Sequence, residues 1–192
     1  MSHDTTETEI KLAVDSAEAA KRRLRAAGFR VHKRRVFEAN TVFDNEDQRL
    51  RKSRLLLRVR EAGTVCTLTY KGVPVSGKHK SREEQELIVP DAKVMTAILG
   101  GLGFKPAFRY EKFRTELKQP MTHGTATIDE TPIGVFLELE GTPEWIDRVA
   151  VNLQFRDQDY ITSSYSTLYL NWCKQQGVEP GDMVFAKPAS GA

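Results

Sequence analysis

Residues 6–14 read TETEIKLAV, and in an extended chain Glu7, Glu9 and Lys11 fall on one side while Thr8, Ile10 and Leu12 fall on the other. The same split recurs along the chain. RLLLRVR (54–60) sets Arg58 and Arg60 against Leu55, Leu57 and Val59, and TLTYK (67–71) sets Thr67, Thr69 and Lys71 against Leu68 and Tyr70. REEQELIV (82–89) carries Arg82, Glu84 and Glu86 opposite Glu83, Gln85 and Leu87, a less clean division. YEKFRTE (110–116) groups Tyr110, Lys112 and Arg114 against Phe113, ATIDE (126–130) carries Asp129, and FLELE (136–140) sets Glu138 and Glu140 against Leu137 and Leu139.

Any one of these strands is accounted for by an ordinary sheet with a solvated polar face. The set as a whole is not, because its polar positions are almost all carboxylates, guanidinium groups or ammonium groups. The segments between the strands read as amphipathic helices, which need an apolar surface to rest on. Ile10, Leu12, Leu57, Val59, Leu68, Leu137 and Leu139 supply one. The expected fold is therefore α+β: a curved or closed antiparallel sheet with a charged interior and helices packed outside. About eight strands leave a lumen wide enough for a small ligand.

The punctuation fits this plan. Asp15 is the expected N-cap of a first helix, with Glu18 completing a capping box and Gly28 ending it. Residues 31–44 are β-rich, 45–53 turn-like, and Ala62-Gly63 marks a hairpin. Asp91 caps a helix with Val94, Ile98 and Leu102 on one face, Thr142-Pro143 opens another, and a last helix is expected over 163–176. Trp145, Trp172, Tyr165 and Tyr169 read as helix packing. One domain over 5–176 and a tail over 177–192 are expected.

The chain has 192 residues, 40% hydrophobic and 29% charged, with a net charge of +3. It has no run of the ~18 apolar residues a membrane span needs, so no membrane association is expected. The start, MSHDTTETEIK, lacks the basic and apolar regions of a signal peptide, and Cys66 and Cys173 form no CxxC, so a cytoplasmic location is expected. His32, His79 and His123 lack metal-ligand spacing, and surface or structural roles are expected for them. KRRLR (21–25) lies beside acidic residues on a solvated helix face, so nucleic acid is not an expected partner. Lys78, His79 and Lys80 read as a solvated basic loop, with a gate at the tunnel mouth as the alternative.

Unpaired charges inside a barrel are costly, so the lumen must hold water and a ligand. Paired carboxylates suit hard divalent cations such as Mg²⁺ or Mn²⁺. Arginines and lysines suit phosphate oxygens. A cation and a polyphosphate together balance both sets, pointing to a small-molecule triphosphate.

With these motifs in place, the sequence resembles the CYTH superfamily, the triphosphate tunnel metalloenzymes. ETEIK (7–11) matches the family's E-x-E-x-K signature. LRVR, TYKG, REEQE, EKFR, TIDETPIG and FLELEG follow in the family's order. The resemblance covers roughly residues 5–170 and implies an eight-stranded tunnel. It implies Glu7, Glu9, Glu138 and Glu140 as metal ligands with Asp129 nearby, and Glu84 and Glu86 as further metal or water ligands. Lys11, Arg58, Arg60, Lys71, Lys112 and Arg114 would grip the triphosphate, with Arg82 a further candidate. Lys11, Arg58, Lys112 and Asp129 are the expected catalytic residues. Members include class IV adenylyl cyclases, thiamine triphosphatases, inorganic tripolyphosphatases and RNA triphosphatases.

The first expectation is a metal-dependent hydrolase of an inorganic or organic triphosphate. The alternative is a class IV adenylyl cyclase making cyclic AMP and pyrophosphate from ATP. A non-catalytic polyphosphate-binding module is a third reading, disfavoured by the retained carboxylates. A homodimer is allowed.

Overall fold

The computed structural model describes residues 6–75 and 77–186. The strands are β1 (Thr6–Val14), β2 (Arg30–Asp44), β3 (Leu56–Ala62), β4 (Val65–Lys71), β5 (Lys80–Val89), β6 (Lys105–Lys118), β7 (Thr125–Thr131) and β8 (Gly134–Glu140). The helices are α1 (Ala17–Ala26), α2 (Arg49–Lys52), α3 (Ala92–Gly101), α4 (Pro143–Asn152) and α5 (Tyr165–Gln176). The strands close into an antiparallel barrel in the order β1-β5-β4-β3-β2-β6-β7-β8. Each is two-sided, so closure puts the charged residues inside and leaves the apolar ones for the helices.

The main core lies on the outside of the barrel wall. Ile10, Leu12, Leu117, Ile128, Leu137 and Leu139 are buried against Ala20 and Leu24 of α1 and Trp145, Ile146 and Val149 of α4. A second cluster, Phe43, Val59 and Leu99, sits beneath α3. Asp91 caps α3 as expected, accepting hydrogen bonds from the Lys93 and Val94 amides. The face read as its buried side does not pack: Val94, Ile98 and Leu102 are 57, 51 and 70% exposed, and Leu99 with its neighbour Met95 is turned to the barrel instead.

Two other local expectations shift. The N-cap of α1 is Ser16, whose Oγ accepts from the Ala19 amide at 3.2 Å, and not Asp15. Within the turn-like stretch, the Asp44 carboxylate accepts the Leu50 and Arg51 amides at 2.9 Å each and so organises the short α2. Helix α5 starts at Tyr165, capped by Ser164.

The closing seam is short. β1 meets β5 over the four pairs from Thr6↔Glu83 to Glu9↔Lys80, but meets β8 over six. Beyond Glu9, the backbone of Ile161 pairs with Lys11 in both directions at 2.9 and 2.8 Å. After α5, Met183 exchanges backbone hydrogen bonds with Arg109 and Glu111 of β6. The chain on both sides of α5 thus fills edges that the barrel leaves open. Tyr165 and Met183 pack with Tyr110 and Phe136 to close that end of the lumen. The other end opens between Lys33, Glu116 and Lys118.

Trp145 lies flat on two glycines. A Cβ at Gly124 would sit well inside van der Waals contact of its indole ring, and one at Gly141 would come within 2.9 Å of it. Gly124→Ala should therefore force the buried indole to move, at a cost of about 1–3 kcal/mol. Thermal melting should show a fall of roughly 2–10 °C; an unchanged melting temperature would mean the indole has room to shift.

Candidate functional site

Register sets the order of charge around the lumen. Glu7 faces Arg82 and Glu9 faces Lys80 across β1–β5. Lys11 faces Glu138 across β1–β8, Glu38 faces Lys112 across β2–β6, Lys71 faces Glu84 across β4–β5, and Arg114 faces Asp129 across β6–β7. Directly opposed charges of opposite sign stabilise a strand pair, whereas Glu9 also lies opposite Glu140 across β1–β8, a pair of like charge.

Asp129 is the most heavily engaged group. It is fully buried, and its carboxylate accepts from Lys112 at 2.7 Å, from Arg114 Nε at 2.7 Å and Nη2 at 2.6 Å, and from the Tyr165 hydroxyl at 2.8 Å. Arg114 also binds Glu138, which stands 3.3 Å from Lys11. Lys11 is 3.3 Å from Glu9, and Glu9 accepts from Lys80 at 2.8 Å. Lys71 binds Glu7 and lies 3.0 Å from Glu84. Arg58 donates to the Tyr110 hydroxyl and to Thr69, each at 3.1 Å, and faces Glu84 and Glu86 at about 4 Å.

These contacts divide the carboxylates into two kinds. Burial works to raise the pKa of Glu9, Glu38 and Glu138, but the neighbouring cations outweigh it. Lys11 and Lys80 hold Glu9 well below the usual range, Lys11 and Arg114 do the same for Glu138, and Lys112, Arg114 and Arg60 bring Glu38 to about 2. Glu7 and Glu140 go the other way. Burial raises Glu7 despite Lys71, and burial together with the charge of Glu7 pushes Glu140 to about 7. Glu140 stands at the open end, solvent-exposed at its tip. Burial lowers the pKa of Lys80, whereas for Tyr110 it acts upward and is outweighed by Arg58 and Lys112, which lower the phenol.

The structure brings Glu7, Glu9, Lys11, Arg58, Arg60, Lys71, Arg82, Glu84, Glu86, Lys112, Arg114, Glu138 and Glu140 to the wall of one cavity of about 460 Å³. Asp129 lies behind that wall, bonded to Lys112 and Arg114. Several members of the site were not singled out in the sequence. Glu38 stands 3.6 Å from both Arg60 and Lys112, and Asn40 accepts from Arg60 at 3.0 Å. Their i, i+2 spacing on β2 was the available signal. Lys80 points into the lumen, while its neighbours Lys78 and His79 clasp Asp147 of α4 at 2.9 and 2.8 Å, so the basic loop is tied down rather than solvated. Tyr165 turns its hydroxyl into the barrel rather than serving only as packing. Lys187 and His3 lie outside the described residues.

The donors on β1 and β8 are all carboxylate oxygens, the chemistry a hard divalent cation selects. Among the described residues no three such groups stand at metal-holding separation, because lysines and arginines occupy the spaces between them. Burial is the main cause of the raised pKa of Glu7 and Glu140, and neighbouring carboxylates add to it. By donor chemistry these residues suit a hard cation at that end of the β1–β8 pair, without a ready-made ligand cluster among the described residues.

Asp129 and Glu140 should behave oppositely on mutation. Asp129→Asn leaves Lys112 and Arg114 buried with less compensation and should cost about 3–5 kcal/mol of stability. Glu140 has its folded pKa raised from an ordinary 4.5 to about 7, so its contribution to stability falls as pH rises through that interval. Glu140→Gln should therefore raise the melting temperature of metal-free protein at pH 8 and leave it nearly unchanged near pH 4.5. Melting curves of both variants at the two pH values check this, and a Glu140→Gln gain independent of pH would refute the assignment.

Known proteins are similar to this chain in sequence or in fold. The Methanocaldococcus jannaschii protein named "Putative adenylate cyclase MJ0240" is 33% identical over 135 residues, covering 70% of this chain and 75% of its own length. The PH1012 protein of Pyrococcus horikoshii superposes with a TM-score of 0.72 at 25% identity, over 84% of this chain and 98% of that one. The Hippeastrum protein HpAC1, described as having a dominant triphosphatase activity, superposes with a TM-score of 0.63 at 20% identity, over 91% of this chain and 97% of that one. The CYTH domain model matches residues 5–155, and with the closed eight-stranded barrel and its charged lumen this makes the chain a member of the CYTH family.

Proposed function

We propose that the protein hydrolyses linear triphosphates with the help of Mg²⁺ or Mn²⁺. The observation that carries this reading is the single lumen in which lysine and arginine side chains from six strands converge opposite the carboxylates of β1, β5 and β8. Arg58 Nε and Arg82 Nε are buried there without a hydrogen-bond partner among the described residues. Buried donors without partners are costly and are satisfied by an acceptor-rich ligand.

In this reading Lys11, Arg58, Arg60, Lys71, Arg82, Lys112 and Arg114 hold the phosphate oxygens and neutralise the charge of the transferring group. Glu7, Glu9, Glu138 and Glu140 hold the cation, which when bound adds Lewis-acid stabilisation of the phosphate oxygens. Glu84 and Glu86, on β5 beside β1, accept hydrogen bonds from the attacking water, and one of them takes its proton. Water oxygen bonds to the terminal phosphorus, the bridging P–O bond breaks, and its electrons leave on the diphosphate. Asp129 keeps Lys112 and Arg114 in place and acts through them.

A second reading is favoured by one observation, the name of the M. jannaschii relative. In a cyclase the same side chains would hold ATP while its 3′-hydroxyl attacks the α-phosphorus and pyrophosphate leaves. Incubation with tripolyphosphate, ATP and thiamine triphosphate, followed by separation of phosphate, pyrophosphate and cyclic AMP, tells the two apart. Phosphate release that stops with EDTA and returns with Mg²⁺ or Mn²⁺ is the expected result, and cyclic AMP as the main product would favour the cyclase.

Arg58→Ala should lower kcat/KM roughly 30- to 1000-fold, the equivalent of about 2–4 kcal/mol of transition-state stabilisation. Arg58→Lys should restore only part of it, because an ammonium group does not reproduce the guanidinium fork. Unchanged kinetics in Arg58→Ala would remove the lumen from the reaction.

A further inference from the structure

Helix α3 leaves an apolar face in water. Its ten residues, AKVMTAILGG, carry one charged side chain, Lys93, and yet only Leu99 among them is buried. Leu99 and Met95 belong to the cluster with Phe43, Val59 and Leu68 on the barrel wall. Val94 and Ile98 on the helix, and Leu102 at its C-cap, are each more than half exposed. Beside them Leu87 of β5 is 62% exposed; it lies opposite Leu68 in the β4–β5 ladder and so extends the same outer surface. These four side chains leave on the order of 400 Å² of apolar area in water, as much as the largest patch of an ordinary monomer and about half of what one partner buries in a stable interface.

Gly101 lies on the same stripe, seven residues after Val94 and three after Ile98. Glycine near the end of a helix costs stability relative to alanine. A Cβ at Gly101 would meet nothing within 4 Å, so no packing inside the chain requires a glycine there. The missing side chain does permit a second backbone to approach closely from outside.

The pattern along the helix selects the partner. Val94, Ile98 and Leu102 are four residues apart and form one ridge of the kind that packs into the groove of a neighbouring helix. The ridge reads alike from either end about Ile98. Laid antiparallel against a second copy, with a two-fold axis at Ile98, Val94 meets the partner's Leu102 and Ile98 meets its own counterpart. The charges match under the same operation. Asp91, exposed at the start of the helix, comes to the end where the partner's Lys105 stands, a side chain 70% exposed whose own contact is Glu46 at 3.7 Å. Lys93 comes opposite the partner's Gly103, so no cation faces a cation. The antiparallel crossing also sets opposite ends of the two helix dipoles side by side.

We propose that the α3 face, with Leu87 at its edge, is the interface of a symmetric homodimer. No residue of α3 lines the lumen, so the pairing leaves the tunnel free and does not depend on the function proposed for it.

Sedimentation equilibrium across a concentration series tests this on wild type, Ile98→Asp, Gly101→Leu, Lys105→Glu and Val151→Asp, with circular dichroism establishing that each variant is folded. Wild type should have twice the mass of the chain. Ile98→Asp sets two carboxylates on the axis and Gly101→Leu fills the space the second backbone needs, so both should be monomeric. Lys105→Glu faces Asp91 twice across the two-fold and should weaken the dimer roughly 5- to 30-fold. Val151→Asp changes an equally exposed apolar residue on α4 and should remain dimeric. A monomeric wild type would overturn the proposal. Persistence of the dimer in Ile98→Asp and Gly101→Leu, or its loss in Val151→Asp, would also overturn it by placing the interface on another face.

Discussion

Like charges enclosed in a barrel repel one another, and the whole structure depends on how that repulsion is relieved. The strand register does part of it by setting acid against base at six inward-facing pairs, from Glu9 and Lys80 to Arg114 and Asp129, while Glu9 also lies opposite Glu140. The relief is incomplete by construction. Where Asp129 meets Lys112, Arg114 and Tyr165 every oxygen is used, and the local geometry is fixed. Where Glu7 and Glu140 approach one another, negative charge is left over. The first arrangement makes a rigid wall and the second makes a place for something to bind.

The same two-sidedness shapes the exterior. An interior given to charge cannot be the hydrophobic core, so the core lies between the barrel wall and the helices laid against it. This is why α1 and α4 are amphipathic and why Trp145 is pressed onto Gly124 and Gly141. The lumen and the core share the same strands, one on each face. Alternate positions of β1 or β8 therefore serve different faces, the charged lumen for Glu9 or Glu138 and the external core for Ile10 or Leu139.

Much of this was legible in the sequence because a period of two is a local signal. Glu7, Glu9 and Lys11 reveal their shared face without reference to any other strand, and repeating that reading on six segments recovered the barrel and most of its lumen. What stayed hidden depended on distant partners. Glu38 and Asn40 sit in a long β-rich stretch whose phase is not fixed by its own residues, since Val36, Phe37 and Val42 place apolar groups on both sides. Lys80 reads as part of a basic loop until Asp147 is seen to draw its two neighbours the other way. The α3 face was misplaced because Val94, Ile98 and Leu102 form a cleaner helical stripe than Met95 and Leu99, which do the packing.

The shortness of the β1–β5 pairing gives the barrel a zip. Its four residue pairs are fewer than those of any other neighbouring strands, so this edge is the easiest to part in the native state. The teeth of the zip are the charges that face the lumen, Glu7 against Arg82 and Glu9 against Lys80. In the proposed function, an anion and a cation lodged between them would tie the two edges together from within. Occupancy of the lumen would then also be a mechanical state of the wall: an empty barrel would breathe along one line, and a filled one would be laced shut.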